Sequence, residues 1–129
     1  IAALGTAIRS PTISSSNSPT ASADGTAFEN VVFRGCAFER VNLSNCTFTD
    51  VLFSGCRFVR CDMGRSWLNR VDFRSCSAPG LSFLKSRLTG VSFSDSQLAY
   101  ADLSEATVEQ LVASETKLTE ASFHATRLR

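Results

Sequence analysis

AFENVVFRGCAFERVNLSNCTFTDVLFSGCRF, residues 27–58, decides the fold, because a phenylalanine or leucine returns at every fifth place along it. Followed outward, the same phase runs Phe28, Phe33, Phe38, Leu43, Phe48, Phe53, Phe58, Met63, Leu68, Phe73, Ala78, Phe83, Leu88, Phe93, Leu98, Leu103, Val108, Ala113, Leu118, Phe123 and Leu128, so 17 of 21 places hold Phe or Leu. All ten phenylalanines of the chain lie on it. Random placement would give this with odds on the order of one in a million, so the repeat is real and its large members are the predicted core. The phase two residues earlier carries Val31, Cys36, Val41, Cys46, Val51, Cys56, Cys61, Ser66, Val71, Cys76 and their successors, all small or medium. None of the 13 basic and 12 acidic side chains falls on either phase, as two inward places in every five require.

A period of five fits neither an α-helix nor a plain strand, so the chain must turn regularly, with one large and one small residue pointing inward on each short side. The units VNLSN (41–45), CTFTD (46–50), ADLSE (101–105) and ASFHA (121–125) resemble the A(D/N)LXX unit of the pentapeptide-repeat family, and the likeness extends over about four fifths of the chain. The resemblance implies an all-β fold, a right-handed quadrilateral parallel β-helix with four pentapeptides to a coil and about five coils. Residues 20 apart then stack at about 4.8 Å. One expected inner column is Val31, Val51, Val71, Val91 and Leu111, and another is Cys36, Cys56, Cys76, Ser96 and Thr116.

The remaining features set boundaries. Residues 1–23 hold six Ser, three Thr and two Pro and read as an extension, either a linker or a cap over the first coil, while 24–129 is the β-helix domain. No apolar run is long enough for a membrane span, and the start Ile1-Ala2-Ala3-Leu4 lacks an initiating Met and a basic flank, so the chain reads as a piece of a larger protein without a signal peptide. The odd set of five cysteines, at 36, 46, 56, 61 and 76, matches no disulfide or metal spacing and is expected to be reduced apolar filler in a reducing compartment. Cys76-Ser77-Ala78-Pro79-Gly80 predicts a bulge or widened turn; Val108, Leu111 and Val112 would also fit a short helical face, but the five-residue phase resumes at Leu118, Phe123 and Leu128, so the solenoid is expected to continue.

Net charge is +1 but unevenly spread: nine bases face four acids over residues 34–87, and one base faces six acids over 88–120. A rod basic in one half and acidic in the other follows. No catalytic constellation is legible, because the one histidine, His124, lies on an outward phase and the cysteines on an inward one. Asp62, Asp72 and Asp102 suit turn hydrogen bonding better than paired acid–base chemistry. No cofactor or metal is expected.

The family resemblance points to a non-catalytic protein-interaction module of a larger bacterial protein, of the kind found in secreted effectors that carry a HECT-like ubiquitin ligase domain. Its place would be the bacterial cytoplasm or, after secretion, the host cytosol, with a host protein as partner. The alternative implied by the same family is a DNA mimic that binds a type II topoisomerase such as gyrase, against which the basic first half argues. Direct nucleic-acid binding is disfavoured because the arginines are spread over all faces. Trp67, the only tryptophan, lies on an outward phase beside Arg65, Arg70 and, one coil on, Arg87. These four form the predicted partner-binding patch, since Trp and Arg are the usual anchors of interfaces.

Overall fold

The computed structural model describes residues 25–128 and, before them, the backbone of 7–9, 12–14 and 21–22. In chain order the strands are β1 (Ala7–Arg9), β2 (Thr12–Ser14), β3 (Ala21–Ser22), β4 (Ala27–Glu29), β5 (Val32–Arg34), β6 (Ala37–Glu39), β7 (Val41–Asn42), β8 (Thr47–Ser54), β9 (Arg57–Val59), β10 (Trp67–Arg74), β11 (Arg87–Ser94), β12 (Thr107–Ser114) and β13 (Arg127–Leu128). All pairing is parallel, and from β4 onward partners stand 20 residues apart: Phe28 opposite Phe48, Val51 opposite Val71, Phe73 opposite Phe93, Leu88 opposite Val108. Four pentapeptides therefore close one coil of a β-solenoid. β8, β10, β11 and β12 each run across one corner and build two adjoining faces, whereas the other two faces are held from the third coil on by single bridges such as Ser77 to Gln97 and Asp62 to Ser82.

The corners have a specific backbone cause. Every fifth residue from Gly25 to Ala125 adopts a positive φ, between 48° and 78°. That conformation turns the corner N–H along the axis, where, as long as another coil follows, it donates to a carbonyl of that coil, as from Gly55 to Arg74 at 2.8 Å and from Arg65 to Leu84 at 2.7 Å. Glycine adopts it freely and Asn or Asp tolerate it, but Arg, Glu and Tyr also stand there, so the ladder overrides local preference.

Inside, the large residues stack by column. Phe33, Phe53, Phe73 and Phe93 form a ladder with ring centroids 5.0, 4.9 and 4.8 Å apart and nearly parallel planes, met edge-on by rings of the neighbouring faces. Val31, Val51, Val71 and Val91 make one continuous buried column. All five cysteines are free thiols and buried, but they do more than fill. Sγ of Cys56 lies 3.3 Å from the Phe33 carbonyl, Sγ of Cys61 3.2 Å from that of Phe38, and Sγ of Cys76 3.3 Å from that of Phe53. Ser66 and Ser86 repeat the pattern with hydroxyls, donating to Leu43 and Met63 at 3.0 and 2.8 Å. The small inward position thus supplies a donor to a carbonyl of the preceding coil, a role that apolar filling does not describe.

Two expectations need correction. Pro79 causes no bulge: Ser77 bridges Arg57 and Gln97 in register, Ala78 is buried, and Gly80 takes the ordinary corner with φ 73°. Pro79 sits at a turn place beside a single-bridge ladder, where its missing N–H breaks no strand. Residues 107–114, by contrast, form β12 and continue the solenoid as the five-residue phase requires. Phe123 is 45% exposed and Leu118 only half-buried, although both lie on the core phase, because a solenoid residue needs a coil on either side and the last described coil has one. The choice between cap and linker for residues 1–23 lies largely outside the described residues; of that stretch, β1, β2 and β3 pair with β5, β6 and β7.

Candidate interaction surface

Two faces meet along the β8–β10–β11–β12 ribbon, and the first of them carries Trp67. Its inward neighbours Ser66 and Leu68 are buried, so strand alternation turns the indole outward, where it is 47% exposed. Register sets Thr47 on one side and Arg87 on the other. The Arg87 guanidinium carbon lies 5.5 Å from the indole centroid, a cation–π contact worth about 0.5–1 kcal/mol at such an exposed site. The contact places the Arg87 guanidinium over the ring from the neighbouring strand.

Arg65 occupies the corner before Trp67, and Lys85 the same corner one coil on, both with the left-handed backbone. With Asn45, Thr47, Trp67 and Arg87 they border an open depression of about 350 Å³. Its floor is Cys46 and Ser66, whose backbone and hydroxyl are joined at 3.1 Å. Neither Arg65, Lys85 nor Arg87 takes part in an ion pair among the described residues. Lys85 joins the group through the same 20-residue spacing that places Arg87, a position the repeat implies but a search for tryptophan and arginine anchors passes over.

Arg70 stands apart from the other three. It lies on the opposite corner of the face and grips Asp50 one coil back, Nε to Oδ1 at 2.7 Å and Nη2 to Oδ2 at 3.0 Å. The hydrogen bonds from Arg70 hold the Asp50 carboxyl below its ordinary range. Arg70 borders a second depression, of about 320 Å³, together with Asp72, Arg74 and Gly90. There Asp72 pairs with Arg74 at 2.8 Å, so that depression is neutralised by its own ion pairs.

The carboxylates read as turn residues behave so at two places: Asp62 accepts from the Gly64 N–H at 2.7 Å and Asp102 from the Ser104 N–H at 2.9 Å. Asp72 instead holds Arg74. His124 sits exposed at a turn. Among the described residues no group of three or more His, Cys, Asp or Glu could hold a metal ion, and no helix is long and apolar enough to cross a membrane.

Comparison with known proteins follows the geometry. The sequence profile described as "Pentapeptide repeat region" matches residues 26–103, and "Pentapeptide repeats (8 copies)" matches 96–129. No curated protein matches the chain. Among solved structures, full-length QnrB1, a plasmid-mediated fluoroquinolone resistance protein, is 18% identical over 99% of this chain and 93% of its own, with a TM-score of 0.40. The pentapeptide repeat protein Rfr23 from the cyanobacterium Cyanothece 51142 is 9% identical over 99% of this chain and 87% of its own, with a TM-score of 0.35. HetL, a pentapeptide repeat protein involved in heterocyst differentiation regulation from the cyanobacterium Nostoc sp. strain PCC 7120, is 14% identical over 95% and 87%, with a TM-score of 0.31.

Proposed function

The chain belongs to the pentapeptide-repeat family, and from that premise we propose that it is a non-catalytic protein-interaction platform that recruits a partner through the face bearing Trp67. One observation carries the reading: a half-exposed tryptophan, in cation–π contact with Arg87, stands on a parallel sheet beside cations that have no ion-pair partners among the described residues. Trp and Arg on a rigid scaffold are what interface anchors are made of. The interior is filled by stacked rings, so the molecule has surface to offer and no chamber for a substrate. Within this reading, the module serves a larger secreted bacterial effector, such as one with a HECT-like ubiquitin ligase domain, and the buried free thiols suit a reducing cytosol, bacterial or host.

The acid-rich stretch 88–120 supports the second reading, DNA mimicry directed at a type II topoisomerase. Affinity capture from host and bacterial lysates separates them. Recovery of a signalling or ubiquitin-pathway protein, with binding weakened by about 2 kcal/mol or more in Trp67→Ala at nearly unchanged melting temperature, is the expected outcome. Recovery of gyrase would favour mimicry. Unchanged affinity in Trp67→Ala would remove the tryptophan from the interface.

A further inference from the structure

The depression beside Trp67 has a chemical bias that the platform reading leaves open. Arg65 and Lys85 rise from successive coils at one corner, their backbones about 4.8 Å apart, and Arg87 enters from the adjoining strand. All three are exposed, and among the described residues none has an acidic partner within ion-pair distance. Elsewhere on the basic half Arg57, Arg70 and Arg74 each hold a carboxylate, whereas Arg34, Arg40 and Arg60 share the unpaired state without an aromatic neighbour of this kind. Among the described residues no acid borders the depression, the nearest in its corner column being Glu105, one coil beyond Lys85. The indole of Trp67, with Arg87 over its ring, supplies the apolar side of the depression.

Resting on the platform reading and deepening it, we infer that this depression takes an acidic segment of the partner, an extended peptide whose carboxylates reach Arg65, Lys85 and Arg87 while its chain lies against Trp67. Three considerations favour a peptide. In an extended chain, side chains two residues apart point the same way about 6.6–6.8 Å from each other, within reach of long basic side chains on successive coils. The site is a local hollow with one aromatic wall, not a stripe along the rod, so it lacks the run of cations needed to follow a nucleic-acid backbone. The adjoining acidic coils, with Glu105 and Glu109, would also repel a polyphosphate that continued along the axis.

The test uses the whole chain and a fluorescein-labelled eight-residue peptide of alternating glutamate and serine, titrated by anisotropy while the emission of Trp67 is followed. The expected result is saturable, salt-sensitive binding accompanied by a change in tryptophan emission. The double variant Arg65→Glu/Lys85→Glu should weaken it by about 100-fold, two charge-assisted contacts at about tenfold each. Arg60→Glu, the same kind of substitution at a corner of another face, should leave it within about twofold. Equal losses in the double variant and Arg60→Glu, or binding with unaltered tryptophan emission, would overturn the inference. So would an oligothymidylate of the same charge that outcompetes the peptide. A captured partner lost in Trp67→Ala but retained in Lys85→Glu would sink the acidic-segment inference alone, whereas one retained in both would sink the platform reading with it.

Discussion

Truncating Phe53 to alanine tests the core most directly. Its ring is 1% exposed, stacked on Phe33 at 5.0 Å and on Phe73 at 4.9 Å, and met edge-on by Phe38, Phe48 and Phe58. A phenylalanine buries about 150 Å² or more of apolar surface, which at about 25 cal/mol per Å² is roughly 4 kcal/mol. The neighbouring coils cannot collapse into the void, since the parallel ladder fixes their separation, so the loss belongs near the top of the 3–5 kcal/mol span known for buried aromatics, about 4–5 kcal/mol. At roughly 3–5 °C per kcal/mol for a chain of this size, the melting temperature followed by circular dichroism should fall by about 12–25 °C. Phe123→Ala supplies the contrast. It removes the same side chain from the same phase, but at a place 45% exposed, and should cost less than about 2 kcal/mol. Similar shifts for the two, or a Phe53→Ala shift no larger than that of Glu29→Ala, would refute the argument that depth along the axis, and not the repeat position alone, sets the energy.

Gly80→Ala should destabilise by about 1 kcal/mol in thermal melts purely through its φ of 73°, since an added Cβ meets nothing within 4 Å; no loss would mean the corner relaxes. Ser86→Ala strands both the Met63 carbonyl at 2.8 Å and the Ser66 N–H at 3.1 Å in a buried site, so the urea midpoint should fall by an amount corresponding to about 1–3 kcal/mol, and by less in Ser86→Cys, which keeps a donor. The native thiols should resist a thiol reagent at pH 8 and react only on unfolding. Burial pushes Cys36 from 9.0 to about 11 and also raises Cys61, while the hydrogen bond between Cys56 and Cys76 raises the first and lowers the second, so the protection of Cys76 rests on its burial alone. Because the folded Cys36 holds its proton more tightly than the unfolded chain does, its contribution to stability is present below pH 9 and is lost as pH rises toward 11. Chemical denaturation at pH 8 and pH 10.5 should find the second less stable, and equal stability would contradict the raised thiol.

Large side chains leave the plainest trace in a sequence, so the Phe and Leu phase marks the inward positions, while the four-unit coil, the columns and the parallel register are what the resemblance to the pentapeptide-repeat family implies. Corners leave a fainter one. Gly25, Gly35, Asn45, Gly55, Gly80 and Asp95 all mark the left-handed place, but Arg60, Arg65, Tyr100 and Glu105 share it, and their presence hides the conformational rule behind residues that ordinarily avoid it. The thiols are free and buried as their inward phase requires, and what composition leaves out is the carbonyl 23 residues back that makes Cys56 and Cys61 donors as well. At the surface, Arg70 follows Trp67 closely in sequence, but the same 20-residue spacing that locates Arg87 also places Asp50 under Arg70. That spacing equally stacks Lys85 on Arg65, a pairing that attention to tryptophan and arginine anchors passes over.

The 20-residue register also governs what length changes do to the molecule. Removing one whole coil from the middle would shorten the rod by one step and return every later residue to its original side, whereas removing a single pentapeptide would swing all that follows through a quarter turn and carry Trp67 and Lys85 onto different sides if it fell between them. The first strands mark where the rule relaxes: Ala7 and Thr12 stand 25 residues from Val32 and Ala37, but Ala21 stands 20 from Val41, so five extra residues lie between Ser14 and Ala21 while the pairing on either side is kept. Within the regular repeats, length variation is therefore a rotation control, silent in multiples of a coil and otherwise able to re-aim a whole surface while leaving the interior chemistry untouched.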